Sequence, residues 1–389
     1  MLRLACLAGA VATVLAATPV LAQPEAIPLE IRRGYASSEL EGDSATIRFY
    51  RWGEMILVDN VMINGQGPFR FMLDTGAEGA GRLDRSLVER LDVAASGDAA
   101  SVGLLGQEHG MTTHRLDTLS IGPLAFHDVQ MLSRDYRAEM PRDLRPVDGI
   151  LGFHLFSEYL FTIDYPGRSL RVERGELPPP DGDAVLPIVS DDDDPDIMID
   201  VGGHPIQALI DTGAPTHFAF PTALTRDLAT VGEPRLIGRD GGQDVFSATL
   251  EGAIRLGAVS FDEPQVIIAP ALTQAVVGVR AMASLALTFD QANARIRITR
   301  PAPRPRYGMT FSPGERGLTI REVAPGSPAE AAGLEVGDLI VSLNERVTSD
   351  LDREDMARMF DDSPLVAAVE REDERFEATM TLPLPEAPR

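Results

Sequence analysis

Two aspartates, Asp74 and Asp211, stand out as residues that could do chemistry. Each ends a run of apolar residues and is followed by Thr-Gly-Ala. An ionisable group that an apolar strand carries into a tight turn needs a partner or a task, because burying a charge is costly. Since the same turn occurs twice, the sequence suggests that each aspartate is the partner of the other.

Two carboxyl groups in close contact cannot both ionise, so one keeps its proton while the other is charged. Such a pair offers a general base and a general acid together. The base can take a proton from a bound water while the acid hydrogen-bonds or protonates a peptide carbonyl oxygen. The motif predicts hydrolysis of a peptide bond with no metal, no cofactor and no covalent intermediate. The triplet can also be no more than a turn, because Asp, Thr and Gly all tolerate turns.

The residues beside the aspartates fit this chemistry. Thr75 and Thr212 are predicted to cross-link the two turns through bonds from hydroxyl to backbone. Gly76 and Gly213 are predicted to let backbone N–H groups approach the carboxylates.

An internal repeat would position the two turns. In the first copy the hairpin signal Asn64-Gly65 leads into the strand that ends at Asp74, and Ile150-Leu151-Gly152 comes later. The second copy repeats this order through Asp211 to Val276-Val277-Gly278. A preserved order predicts two copies of one β-rich unit. A glycine-containing hairpin or loop follows each turn, with Gly103, Gly106 and Gly110 in the first copy and Gly238, Gly241 and Gly242 in the second.

Charge and the N-terminal segment narrow the class of protein. The net charge of −24, from 59 acidic and 35 basic residues, argues against nucleic acid as a partner. The first residues have the layout of a secretory signal peptide, with cleavage predicted after Ala22. The one cysteine, Cys6, falls inside that segment. We therefore expect an exported protein, periplasmic or secreted, with no membrane span.

Two parts of the sequence resemble known protein families. The Asp-Thr-Gly-Ala turn, the glycine-bearing hairpin and the later apolar-apolar-Gly resemble retropepsin-type aspartic peptidases, and the segment from Asp148 to Pro166 is similar to the bacterial members. This resemblance covers about Arg48 to Thr299. Separately, Gly317 to Asn344 resembles a PDZ domain, in the style of exported bacterial proteases.

The peptidase resemblance implies a mainly β fold in which each half is a small closed barrel that contributes one aspartate. Asp74 and Asp211 would then be the catalytic pair, and residues 103–111 and 238–245 the flaps over the substrate. Because alanine follows each Asp-Thr-Gly where Ser or Thr would donate a further hydrogen bond, we expect a less acidic pair and a mildly acidic pH optimum.

The PDZ resemblance implies that Gly317, Leu318, Thr319 and Ile320 capture the C-terminus of a peptide, which adds as an extra strand. The alternative is a packing module that holds no ligand. The expected order of domains is a signal peptide at 1–22, a polar segment at 23–44, the first half at 45–175, a solvated linker at 176–196, the second half at 197–300, a Pro/Arg-rich linker at 301–306 and an α+β PDZ domain at 307–385.

The function expected from this reading is an aspartic endopeptidase of exported proteins, whose PDZ domain binds peptide or protein termini. Two alternatives stay open. The chain could be a catalytically silent periplasmic adaptor that binds extended peptides. Two chains could also pair Asp74 with Asp74, which would leave Asp211 dispensable.

Overall fold

The computed structural model describes residues 33–102, 108–136, 145–190, 194–225, 228–240, 243–302, 306–360, 363–372 and 374–382. The fold is mainly β, with 54% strand and 10% helix. In the described part of the chain no helix is both long and apolar enough to cross a membrane.

The strands and helices follow one another in three groups. The first group contains β1 (Ser37–Leu40), β2 (Ser44–Arg48), β3 (Tyr50–Trp52), β4 (Met55–Ile63), β5 (Gln66–Asp74), β6 (Gly81–Asp84), α1 (Arg85–Leu91), β7 (Ala95–Val102), β8 (Glu108–Ile121), β9 (Leu124–Arg134), β10 (Gly149–Gly152), β11 (Leu160–Asp164) and β12 (Ser169–Glu173). The second contains β13 (Val185–Pro187), β14 (Asp196–Val201), β15 (His204–Asp211), β16 (Phe218–Phe220), β17 (Arg235–Asp240), β18 (Gln243–Thr249), β19 (Ala253–Leu256), β20 (Val259–Asp262), β21 (Gln265–Ile268), β22 (Ala275–Gly278), α2 (Val279–Met282), β23 (Ala286–Asp290) and β24 (Arg295–Thr299). The third contains β25 (Met309–Gly314), β26 (Gly317–Val323), α3 (Pro328–Ala331), β27 (Leu339–Leu343), β28 (Arg346–Val347), α4 (Arg353–Met359), β29 (Leu365–Arg371) and β30 (Glu374–Met380). Short 3-10 helices cover Phe153–Phe156, Thr222–Leu224, Gln291–Asn293 and Thr348–Asp350.

The two aspartate turns lie in two sheets with matching connections. In the first sheet β5 pairs with β10 in parallel, β10 with β6 antiparallel, and β6 with β9 in parallel. In the second sheet β15, β22, β16 and β21 make the same three pairings in the same order and directions. The first sheet closes where β8 pairs with β9, whereas the described part of the second sheet ends at β17 and β20.

The central strands are apolar on both faces. Phe71 and Leu73 on β5 and Ile210 on β15 are fully buried. A strand with parallel neighbours and covered faces needs such a continuous apolar run rather than alternation. This is why each aspartate follows an unbroken apolar segment.

A six-stranded sheet, in the order β13-β24-β23-β11-β12-β2, takes strands from the first and second groups. At its centre Phe161 lies opposite Phe289, and their rings stack at 6.2 Å. The expected solvated linker at 176–196 is wrong in part, because β13 pairs with β24 and Leu177 is buried. Its apolar residues cover the edge of this sheet. The first three aspartates of the run at 191–194 lie outside the described residues.

The third group forms a separate sheet, ordered β25-β26-β27-β29-β30 with β28 on β27. It has its own hydrophobic core. Helix α3 begins at Pro328, and the Ser327 hydroxyl before it accepts a hydrogen bond from the Glu330 N–H at 3.2 Å.

Candidate active site

The two aspartates meet. Asp74 ends β5 and Asp211 ends β15, and their neighbours in register are Gly152 and Gly278. The two turns face each other so closely that Gly76 lies against the Asp211 carboxyl group and Gly213 lies against the Asp74 carboxyl group. Asp211 is only 4% exposed, and Asp74 is half-buried.

Both turns require glycine, because the carboxyl group of the opposite turn lies very close to it. Gly76 N–H donates to Asp74 Oδ1 at 2.9 Å, and Gly213 N–H donates to Asp211 Oδ1 at 2.7 Å. A Cβ on Gly76 would lie 2.9 Å from Asp211 Cγ, and one on Gly213 would lie 2.7 Å from Asp74 Cγ. Any side chain at either position would therefore collide with the opposite carboxyl group.

The two threonines cross-link the turns as predicted. Thr75 Oγ1 donates to the Ile210 carbonyl at 2.6 Å, and Thr212 Oγ1 donates to the Leu73 carbonyl at 3.0 Å. Each hydroxyl also accepts a hydrogen bond from the backbone N–H of the other threonine, at 2.9 and 3.0 Å. Both threonines are buried, so these four bonds hold the aspartates in one geometry.

The electrostatics of the pair are unequal. Burial raises the pKa of Asp74, but the Arg82 guanidinium and the Gly76 N–H act against the rise. Burial raises the pKa of Asp211 well above its usual value, and the negative charge of Asp74 raises it further. The two groups titrate as a pair, and Arg82 favours the charged form of Asp74 within it.

Arg82 favours the charged form of Asp74 over that of Asp211. Its role was not predicted from the sequence. It lies on β6, paired in register with Ile150. The matching position on β16 is Ala219, paired with Val276. The sequence does contain an arginine in the short strand after the first turn and none at the matching position after the second turn. This difference can be interpreted only when the strand registers of the two sheets are known.

A further group of charges near the site was also missed. Arg280, which follows β22, donates to Glu54 at 3.0 Å, and Glu54 in turn accepts from Arg51 at 3.1 Å. His217 lies close enough that burial and Arg280 lower its pKa. These residues link loops of the first and second groups of strands, and nothing in their spacing along the chain indicated that they would meet.

The predicted flaps fall on two hairpins, β7 with β8 and β17 with β18. Gly110 lies on β8, and Gly238 lies at a register shift in β17. The other four candidate flap glycines, Gly103, Gly106, Gly241 and Gly242, lie outside the described residues.

Strand addition at the predicted PDZ site does not hold. Strand β26, which carries Gly317, Leu318, Thr319 and Ile320, is paired with β25 on one side and β27 on the other. Its pairing continues where Ile320 N–H donates to the Asp338 carbonyl at 2.9 Å. A peptide cannot add to a strand whose two edges are occupied. The strand at the edge of this sheet is β25.

Comparison with known families agrees with the geometry. The family model for aspartyl proteases matches residues 60–155, which include the first turn, its hairpin and β10, and a PDZ domain model matches residues 319–371. The chain thus carries an aspartyl protease domain and a C-terminal PDZ domain. Asp211 lies beyond the first match. Among the described residues, no group of three or more His, Cys, Asp or Glu side chains is arranged to hold a metal ion.

Proposed function

We propose that the protein is an aspartic endopeptidase whose site is completed within one chain by two retropepsin-like halves, at 45–175 and 197–300. The observation that carries this proposal is the contact between the two Asp-Thr-Gly turns, which Thr75 and Thr212 cross-link and which places each aspartate against the glycine of the opposite turn. The matching strand pairings of the two sheets support a duplicated unit. The intrachain contact favours the single-chain site over a dimer that pairs Asp74 with Asp74.

The position of Arg82, which favours the charged form of Asp74, suggests that Asp74 is the base and Asp211 the acid. A water bound between the carboxyl groups gives a proton to ionised Asp74 as its oxygen attacks the peptide carbonyl carbon. Asp211 gives its proton to the carbonyl oxygen, which yields a tetrahedral diol. When the C–N bond breaks, the proton on Asp74 passes to the leaving nitrogen, and a diol hydroxyl returns a proton to Asp211. The products are a carboxylic acid and an amine.

The remaining parts serve the substrate. The hairpins that follow the two turns would close over an extended peptide, and the C-terminal domain would bind peptide segments of the protein substrate. The signal-like first 22 residues support export to the periplasm or beyond, with exported proteins as substrates.

The test is cleavage of an unfolded protein by the purified chain between pH 3 and 8. Asp74→Asn and Asp211→Asn should each lose about 10²–10⁴-fold in kcat/KM, the usual contribution of acid–base catalysis. Asp262→Asn, at an exposed position on β20, is the matched control and should keep full activity. If the unchanged chain cleaves no better than the dyad variants, the silent adaptor is correct. Activity that survives Asp211→Asn would instead support the dimer.

A further inference from the structure

Strand β5 carries its aspartate on the face that points away from the main hydrophobic core. Because side chains alternate along a strand, Arg70, Met72 and Asp74 share one face, and Phe71 and Leu73 share the other. Phe71 and Leu73 belong to the main core, whereas Met72 belongs to a separate cluster. An element that packs on the outer face therefore contacts the row of residues that ends at Asp74.

The separate cluster lies against the first Asp-Thr-Gly turn, and we call it the small cluster. Its buried members are Tyr50, Leu57, Met72, Ala77, Tyr136, Val147 and Ile150. Ala77 ends the turn, where its N–H donates to the Asp74 carbonyl at 3.2 Å. Ile150 lies beside Met72 in register. The small cluster therefore supports the first turn on the face opposite the main core.

Tyr50 connects the small cluster to the C-terminal domain. Two guanidinium groups lie over its buried ring, that of Arg358 on α4 at 4.1 Å from the ring centre and that of Arg70 at 5.5 Å. The Tyr50 hydroxyl donates to Asp59 at 3.2 Å, and Asp59 is also ion-paired with both arginines. A cation is attracted to the face of an aromatic ring, so helix α4 holds this ring in place.

Arg70 is a second connection between α4 and the first turn. Its guanidinium is ion-paired at 2.8 Å with Glu354 of α4, which is buried. Its backbone is held as well, because its N–H donates to Asp148 Oδ2 at 3.0 Å and its carbonyl accepts from the Asp148 N–H at 2.7 Å. Helix α4 thus grips β5 at a fixed point four residues before Asp74.

The matching strand β15 has a different partner at this point. The residue four positions before Asp211 is Gln207, and its side-chain amide donates to Asp196 of the neighbouring strand β14 at 2.8 Å. The contacts of α4 with Tyr50, Asp59 and Arg70 all involve the first group of strands. These contacts therefore support one turn of the pair and not the other.

We propose that docking of helix α4 positions the Asp74 turn, with Tyr50 and Arg70 as the positioning residues, so that the C-terminal domain is needed for full catalytic activity. Neither residue contacts the reacting atoms. Tyr50 acts through the small cluster, and Arg70 acts through β5. The effect on activity rests on the proposed function, whereas the effect on the order of the turn does not.

Hydrogen exchange tests the positioning without any substrate. Arg358→Ala removes the cation over Tyr50 and leaves every residue of the protease domain unchanged. We expect exchange in the first turn, at Gly76 and Ala77, to accelerate several-fold, and exchange in the second turn to change less. Arg358→Lys keeps the cation and should restore much of the protection.

The matched control is Arg316→Ala. Arg316 is an arginine of the same domain whose ion pair, with Glu370, stays inside that domain. Unchanged exchange in the first turn of Arg358→Ala would overturn the proposal. So would equal acceleration in Arg316→Ala, or equal acceleration throughout the protease domain, since either would indicate a general loss of stability.

Cleavage of a short peptide, compared with an unfolded protein, measures the effect on catalysis. Activity is expressed per folded molecule, with the folded fraction taken from circular dichroism. We expect kcat for the short peptide to fall several-fold in Arg358→Ala and in Tyr50→Leu, with KM little changed. Tyr50→Phe keeps the ring and should stay close to the unchanged chain.

Two outcomes separate this proposal from others. A raised KM for the protein substrate, with kcat for the short peptide retained, would mean that the C-terminal domain only recruits substrate, and would overturn the role in catalysis. If Arg358→Ala loosens the first turn but the unchanged chain cleaves neither substrate, the positioning is supported and the proposed function is wrong.

Discussion

At the scale of single residues, the two aspartates occupy matching positions in matching turns, yet they differ chemically. Their backbone hydrogen bonds are alike, since each carboxylate accepts a hydrogen bond from the N–H of the glycine two residues later. Arg82 favours the charged form of Asp74, and its counterpart in the second sheet is Ala219. In the proposed mechanism this cation therefore favours Asp74 as the base.

Replacing Arg82 tests this assignment. Arg82 lowers the pKa of Asp74, so Arg82→Ala should raise that pKa, and the acidic limb of the kcat/KM–pH profile should move to higher pH. The alkaline limb, which reports loss of the proton held by Asp211, should move less, although the two groups titrate as a pair. Arg82→Lys keeps the charge and serves as the control. An unchanged acidic limb in Arg82→Ala would contradict the role given to Arg82.

The threonine cross-link makes a prediction about stability. Thr212→Val keeps the shape of the side chain but leaves the Leu73 carbonyl and the Thr75 N–H without their bonds, at about 1–3 kcal/mol for each buried group. Thr212→Ser keeps the hydroxyl and should lose much less. Urea unfolding of the two variants measures the difference in the free energy of unfolding. Equal losses would mean that packing of the methyl group, rather than the hydrogen bonds, stabilises the turns.

At the scale of elements, the sequence predicted the strands that carry the chemistry. The unbroken apolar runs before Asp74 and Asp211, and the two later apolar-apolar-Gly segments, are the parallel pairs of the structure. Their order along the chain could be read because each copy preserves it. Arg82 was missed because its effect depends on the register between strands, which no local pattern shows.

In the C-terminal domain, too, the sequence predicted a strand but not its neighbours in the sheet. The apolar pattern of β26 identified a strand correctly, but it could not show that β25 covers one edge of it and β27 the other. Pairing between strands is a tertiary property, so the free edge had to be found in the structure. The burial of Leu177 and the pairing of β13 were missed for a similar reason, because the prolines and acidic residues around them suggested a solvated linker.

Helix α4 attaches the C-terminal domain to the first copy, and its contact can be tested. Glu354, only 2% exposed, forms ion pairs with Arg70 at 2.8 Å and Arg358 at 2.9 Å, and Arg145 bonds to Asp355 at 2.8 Å. Arg70 lies on β5, four residues before Asp74. Glu354→Gln should free the domain, since losing one partner of a buried ion pair is strongly destabilising.

Small-angle scattering and limited proteolysis near residues 301–306 measure this release. We expect a larger radius of gyration and faster cleavage for Glu354→Gln. Glu377→Gln, an exposed residue of β30 with the same change in charge, is the control. The contact should persist at mildly acidic pH, because hydrogen bonds from Arg346 and Arg145 lower the pKa of Asp355 despite its burial. Its stabilising effect is full above the ordinary Asp pKa of about 3.9 and is lost as pH falls through the lowered value.

At the scale of the whole molecule, the first and second groups of strands do not form separate cores. Strands β11 and β23, one from each group, pair at the centre of the six-stranded sheet, and buried residues from both groups belong to one hydrophobic cluster. The C-terminal domain has a cluster of its own. The proposed dyad, with one aspartate from each group, needs this arrangement, because relative movement of the groups would separate the carboxyl groups.

The shared core predicts that the first and second groups of strands unfold together. Phe289→Ala removes a fully buried ring that stacks on Phe161, at a cost of about 3–5 kcal/mol. Hydrogen exchange should then accelerate to a similar extent in β5 and β15, although the substitution lies in the second copy, because both strands open only when the common core opens. Leu365→Ala, in the core of the C-terminal domain, should accelerate exchange in β29 and leave β5 and β15 protected. Faster exchange in β15 alone would mean that the two groups of strands are independent units. The distance between Asp74 and Asp211 would then depend on the threonine cross-link rather than on the shared sheet.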